Sequence, residues 1–159
     1  MLRKWQKRLR IRQSFATTYF GKYFMRAVMA GFYIVVATIL SNVSAAVLYS
    51  TYPQFGKLLG AFLFSLAIVL VVFLNGELFT GNNFVMAVGV YNKTVSVKDM
   101  VKVWVVSYVG NFVGAFLLSA MFVYSKASHA IMVDYYNSFI YSKISAAVPE
   151  LLLRGILCN

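Results

Sequence analysis

The stretch Asn75-Gly76-Glu77-Leu78-Phe79-Thr80-Gly81-Asn82-Asn83 lies in the middle of an apolar run from Leu58 to about Tyr91. A straight helix over that run would measure roughly 50 Å at about 1.5 Å per residue. A hydrocarbon core of roughly 30 Å is crossed by about 20 residues. The run is therefore too long for one crossing and too short for two crossings with a loop between them. Gly, Asn, Thr and Glu crowd into the point where it must break. The pattern predicts two half-helices, about 58–74 and about 84–91, joined by non-helical backbone over 75–83. Irregular backbone at membrane depth is tolerated where it is buried in protein or faces a water-filled cavity, and transporters build substrate sites from broken helices in this way. A kinked helix with a local packing role is the plainer alternative.

Outward from the break, the rest of the chain is also membrane-like. It has 159 residues, 61% hydrophobic and only 12% charged, with mean hydropathy +0.75. Soluble domains carry about 25% charged residues, so a soluble globular protein and a disordered chain are both excluded. Ala27 to about Ser50 reads as a first span, followed by Tyr49, Tyr52 and Pro53 as an interfacial belt and turn. Val103 to about Tyr124 reads as a third. Its Gly110 and Gly114 are four apart on one face, the spacing that lets a neighbouring helix approach closely. Residues 125–142 are polar and aromatic and read as an outer loop. A last apolar segment, 143–159, is too short to cross and reads as the start of a fourth helix.

Fifteen Lys and Arg stand against four Asp and Glu, a formal net charge of +11. In a soluble protein that balance would suggest nucleic acid. Here the cations concentrate in residues 1–26, with Arg3, Lys4, Lys7, Arg8, Arg10, Arg12, Lys22 and Arg26 and no acid. The positive-inside rule then places this arm in the cytoplasm, residues 51–57 outside, the loop with Lys93, Lys98 and Lys102 inside, and residues 125–142 outside. The arm leads into a full-length span, which does not fit a cleavable signal peptide. A nucleic-acid partner is not expected.

Glu77 is an acid inside the membrane run, where ionisable groups need a partner or water. It is expected to accept hydrogen bonds from freed amides near Gly81 and Asn82; proton transfer is the alternative. The N-terminus of the second half-helix, placed near Asn82–Phe84, would favour an anion, and the Thr80 hydroxyl could donate to one. Phe64 and Ile68, one turn apart, could form an apolar constriction or simply pack. Cys158 is the only cysteine and His129 the only histidine, so neither a disulfide framework nor a metal site is expected. No phosphate-binding loop, dinucleotide fingerprint or catalytic triad is present. Neither an enzyme nor a cofactor is expected.

Gly76-Glu77-Leu78-Phe79-Thr80-Gly81-Asn82 resembles the signature of the formate/nitrite transporter family, in its bacterial form. Trp104, Tyr108-Val109-Gly110-Asn111-Phe112-Val113-Gly114-Ala115, the Lys143 region and Arg154-Gly155-Ile156-Leu157-Cys158-Asn159 resemble it at matching places. The resemblance covers nearly all of the chain after the basic arm. It implies an all-α membrane protein with an aquaporin-like fold, of which this chain would hold the first three-helix inverted repeat and the start of helix four. It implies a homopentamer with one pore per protomer in the complete protein, in a plasma or inner membrane, and passage of small monovalent anions such as formate, nitrite or hydrosulfide. By the same resemblance Leu78, Phe79 and Thr80 match the pore loop and its cytoplasm-facing constriction. Phe64 matches an outer aromatic constriction with Ile68 beside it, and Lys143 and Asn159 match a Lys and an Asn beside the pore. Gly76, Glu77, Gly81 and Asn82 would support the broken segment.

The family pattern continues into a second repeat with a central histidine, and His129 stands in the wrong loop to replace it. The sequence is therefore expected to be that of an anion transporter of this family, seen as an N-terminal part. The alternative is a non-transporting truncated fragment that lacks the second repeat. An aquaglyceroporin-type channel is disfavoured, because the Asn-Pro-Ala signature expected at half-helix ends is lacking and the two prolines, Pro53 and Pro149, are both elsewhere.

Overall fold

The computed structural model describes residues 19–158, without the side chains of Phe139, Ser142, Lys143 and Cys158. The arm cations from Arg3 to Arg12, and Asn159, lie outside the described residues. Helices follow in the order α1 (Phe20–Tyr49), α2 (Pro53–Phe64), α3 (Leu66–Phe73), α4 (Phe79–Tyr91), α5 (Val97–Tyr124), α6 (His129–Ile144) and α7 (Val148–Cys158), with no strand among the described residues. Three stretches are long and apolar enough to cross a membrane: Phe20–Tyr49, Pro53–Phe73 and Val97–Tyr124.

Helix α1 starts at Phe20, ahead of the expected Ala27. Lys22 and Arg26 mark a charge boundary but not a helix boundary, because long cationic side chains continue a helix and reach toward the interface. Helices α2 and α3 form one crossing that begins on Pro53, a residue suited to a first helical turn because its missing N–H has no partner to lose. The crossing tightens at Ser65, whose amide donates to Phe62 O at 3.1 Å, a 3₁₀ bond. Helix α5 begins at a capping pair: Ser96 Oγ accepts from the Asp99 amide at 3.1 Å and donates to its carboxylate at 2.6 Å.

Helix α1 is the hub, packed against α2, α3, α5 and α6. Small residues line it: Ala27, Ala30, Gly31, Ala37, Ala45 and Ala46 are all buried. Apolar side chains gain little by leaving lipid for protein, so close backbone approach must hold such helices together. Gly110 and Gly114 supply it on α5. A Cβ added at Gly110 would lie 2.5 Å from Ala27 Cβ, and one at Gly114 would collide with Val28 O. A second cluster, Tyr23, Met86, Val95 and Val103, joins α1, α4, α5 and the loop before α5. The large side chains that remain exposed, such as Phe62, Phe73, Phe112 and Phe116, are apolar and suit contact with lipid.

Two sequence expectations need correction. Residues 125–142 are not a loop: α6 occupies most of the stretch. Its tyrosines hold it on α1, with the Tyr135 ring edge-on to Tyr49 at 5.5 Å and Asn42 Nδ2 donating to Tyr136 Oη at 3.2 Å. These are single-residue contacts without an apolar stripe, so hydrophobic periodicity could not show the helix. Residue 143 does not open a fourth helix either, since α6 runs through it to Ile144. The following helix, α7, starts at Val148, beside Pro149.

Candidate functional site

The break falls after α3, at Leu74–Leu78. It is shorter than the expected 75–83 because Thr80, Gly81, Asn82 and Asn83 are already helical. Helix α3 closes with Asn75 in the left-handed region (φ 53°). The Gly76 amide then reaches back to Val71 O at 2.8 Å and the Asn75 amide to Val72 O at 3.4 Å. That is a Schellman closure, with Asn in the position Gly usually takes.

Neighbouring helices satisfy the rest of the break. The Glu77 amide donates to Arg26 O on α1 at 3.2 Å. Asn111, in the middle of α5, reaches three groups at once. Its Nδ2 donates to Glu77 O at 3.0 Å and to Ala27 O at 2.7 Å, and its Oδ1 accepts from the Phe79 amide at 2.8 Å. One side chain thus pins the extended segment and caps α4. In the first turn of α4, buried Asn82 donates from Nδ2 to Tyr23 Oη at 2.8 Å, and Asn82 O accepts from Trp104 Nε1 at 3.4 Å. These contacts hold Asn82 in the helix despite its low helix propensity.

The Asn82 amide donates to Leu78 O at 3.0 Å, the first bond of the new helix, and so does not serve the Glu77 carboxylate as expected from the sequence. Glu77 is nevertheless buried. The N-terminus of α4 lies at Phe79–Gly81 rather than near Asn82–Phe84. Helical geometry leaves the amides of Leu78, Thr80 and Gly81 without partners inside the helix.

Beside this N-terminus lies a cavity of about 400 Å³, lined by Arg26, Ile68, Val71, Val72, Asn75, Gly76, Glu77, Leu78, Thr80 and Gly81. The structure thus brings together Ile68, Gly76, Glu77, Leu78, Thr80 and Gly81 of the residues proposed from sequence. Phe79 turns to α5 and meets the Tyr108 ring edge-on at 5.3 Å. Phe64 is exposed on the far side of the Ser65 turn and is not in the lining. Lys143 falls in the last turn of α6. A second cavity of about 230 Å³ shares Arg26, Asn75 and Gly76 with the first and adds Lys22, Met25, Met29, Tyr33 and Leu74. Among the described residues no group of three His, Cys, Asp or Glu could hold a metal.

Sequence reasoning missed Asn111, Tyr23 and Arg26 as parts of this site. Asn111 carried a visible signal, a polar residue in the middle of a span. Tyr23 and Arg26 were hidden among the residues that precede the first apolar run.

Three membrane-length apolar helices, one of them followed by a break with a capped re-entry, mark a multi-pass membrane protein. The family model described as formate/nitrite transporter matches residues 7–159, and the chain belongs to that family. It is 27% identical to an uncharacterized transporter, YwcJ, of Bacillus subtilis, over 87% of this chain and 54% of that protein. It is 29% identical to the formate channel FocA of Haemophilus influenzae, over 86% and 49%. It is 27% identical to the nitrite transporter NirC of Salmonella typhimurium, over 86% and 50%. The chain therefore spans about half the length of these relatives.

Proposed function

We propose that the chain takes part in moving small monovalent anions, of the formate, nitrite and hydrosulfide class, across a membrane through a narrow pore. The observation that carries this reading is the cavity where Ile68, Leu78 and Thr80 meet the N-terminal turn of α4. An anion loses much solvation on entering a narrow pore. The open amides and dipole of α4, with the Thr80 hydroxyl, offset part of that loss. Crossing together with a proton would offset more, so the passage is read as proton-linked. Relatives named as a formate channel and a nitrite transporter support the substrate class.

In the same reading, Phe64 and Ile68 narrow the outer side, Leu78, Phe79 and Thr80 the inner side, and Lys143 stands beside the path. Glu77, Gly76, Gly81 and Asn82 shape the break. The basic arm faces the cytoplasm, the membrane is the plasma or inner membrane, and the complete protein forms a homopentamer. The test is anion entry into proteoliposomes carrying the 159-residue chain, with formate and nitrite each offered at acid and at neutral pH. Saturable entry above that of empty liposomes, faster at acid pH, is the expected result. Entry no faster than in empty liposomes would count against the reading and favour a non-transporting fragment.

A further inference from the structure

Asn75 lines both cavities beside the break, the larger with Ile68, Leu78 and Thr80 and the smaller with Met29 and Tyr33. It is exposed, and among the described residues its carboxamide makes no hydrogen bond. Its backbone is committed to the Schellman closure, in the left-handed region at φ 53°. Glycine suits that position best, and asparagine is tolerated there because its short side chain can bond nearby backbone. Asn75 makes no such bond, so the turn fixes the backbone and does not occupy the carboxamide. Arg26 and Glu77 line the larger cavity as well, but both are already engaged. Among the described residues of that lining, Asn75 and Thr80 are therefore the side chains with hydrogen-bonding capacity in hand.

We infer that Asn75 is a specificity-determining residue, whose carboxamide recognises small two-oxygen acids in their protonated form, the acid O–H donating to Oδ1 while Nδ2 donates to the second oxygen. This deepens the proton-linked part of the proposed function and rests on it. A carboxamide sets a donor and an acceptor side by side in one plane. Formic acid and nitrous acid, in the syn form, carry the complementary pair. Their anions carry acceptors only, which Nδ2 attracts and Oδ1 repels. Hydrogen sulfide offers only a weak S–H donor and a weak sulfur acceptor, with no second oxygen. The proton stays on the acid, and Asn75 neither gives nor takes one. The ionisable groups about Asn75 are Arg26 and Glu77 in the larger cavity and Lys22, Arg26 and Tyr33 in the smaller. An uncharged acid is neither held nor turned away by their charges, and its desolvation costs far less than that of a bare anion.

The experiment compares entry of formate, nitrite and hydrosulfide, at acid and at neutral pH, into proteoliposomes carrying the unaltered full chain, Asn75→Gly or Asn75→Asp. Asn75→Gly keeps the left-handed turn and removes the carboxamide. It is expected to raise the half-saturating formate and nitrite concentrations about threefold to tenfold while moving that of hydrosulfide less than about twofold. Asn75→Asp also tolerates the turn. Its ionised side chain has no donor and its protonated one regains an O–H, so its loss for formate, relative to the unaltered chain, should be about threefold greater at neutral than at acid pH. Unchanged formate-to-hydrosulfide preference in Asn75→Gly overturns the inference while leaving transport itself standing, because an equal loss for every solute is the mark of a merely structural role. The same loss at both pH values in Asn75→Asp also overturns it. If Asn75→Gly does not insert, the pH comparison in Asn75→Asp alone decides. Absence of entry with the unaltered chain overturns both this inference and the function it rests on.

Discussion

Asn111 shows what a single polar side chain can do in a membrane protein. No water is at hand in lipid to satisfy a broken helix, and each bare backbone group there costs several kcal/mol. Asn111 supplies two donors and one acceptor to three backbone groups on three segments. Asn111→Leu removes all of them and should destabilise the folded protein by about 2–4 kcal/mol. The measurement is thermal unfolding in detergent, with a clear fall in Tm expected. Asn111→Asp keeps the acceptor for the Phe79 amide and loses both donations, so its Tm should also fall. An unchanged Tm in Asn111→Leu would mean the break is held by other contacts. The residue could be singled out in the sequence as an amide among apolar neighbours, but its three partners lie 32, 34 and 84 positions away and only the fold shows them.

At the scale of elements, close approach rather than apolar bulk joins α1 to α5. Gly114→Ala would set a methyl against Val28 O, and Gly31→Ala would set one against Asn111 O, backbone atoms that cannot turn aside. Each should cost about 1–3 kcal/mol through forced separation of the helices. Gly81→Ala, which meets nothing within 4 Å, should stay within about 0.5 kcal/mol of the unaltered chain. Detergent stability ranked in any other order would contradict this account of the packing. The same elements show how much the sequence disclosed. Length and hydropathy were enough for the three crossings, and the Gly and Asn cluster was enough for a break. The helical start at Phe79 was not legible, because Thr80-Gly81-Asn82-Asn83 is held helical by Tyr23, Trp104 and Asn111 from other helices. Helix α6 was hidden for a related reason: tyrosine contacts to Asn42 and Tyr49 fix it, and those have no period in the sequence. In the site, the lining residues near the break were legible from the family resemblance, whereas Arg26 looked like one more cation of the arm.

At the scale of the whole molecule, the charge pattern makes a directional statement. With the arm in the cytoplasm, Lys57 and Lys126 lie outside and Lys93 lies inside. All three are exposed, so a single cysteine at each, in a Cys158→Ser background, can report its side. A membrane-impermeant thiol reagent added to intact cells should label Lys57→Cys and Lys126→Cys and leave Lys93→Cys unlabelled until the membrane is opened. The reverse pattern would invert the molecule and would put the Arg26 cavity on the outer side.

In the proposed function, anions pass the cavity beside the break. Thr80 lines that cavity and is exposed, and its hydroxyl can be replaced without disturbing the bonds that hold the break. Thr80→Cys in the Cys158→Ser background, reconstituted in proteoliposomes and treated with a small thiol reagent, is the most direct measurement. Formate entry should fall in proportion to the fraction of Cys modified, and added formate should slow the modification. Full modification with formate entry unchanged would contradict the claim.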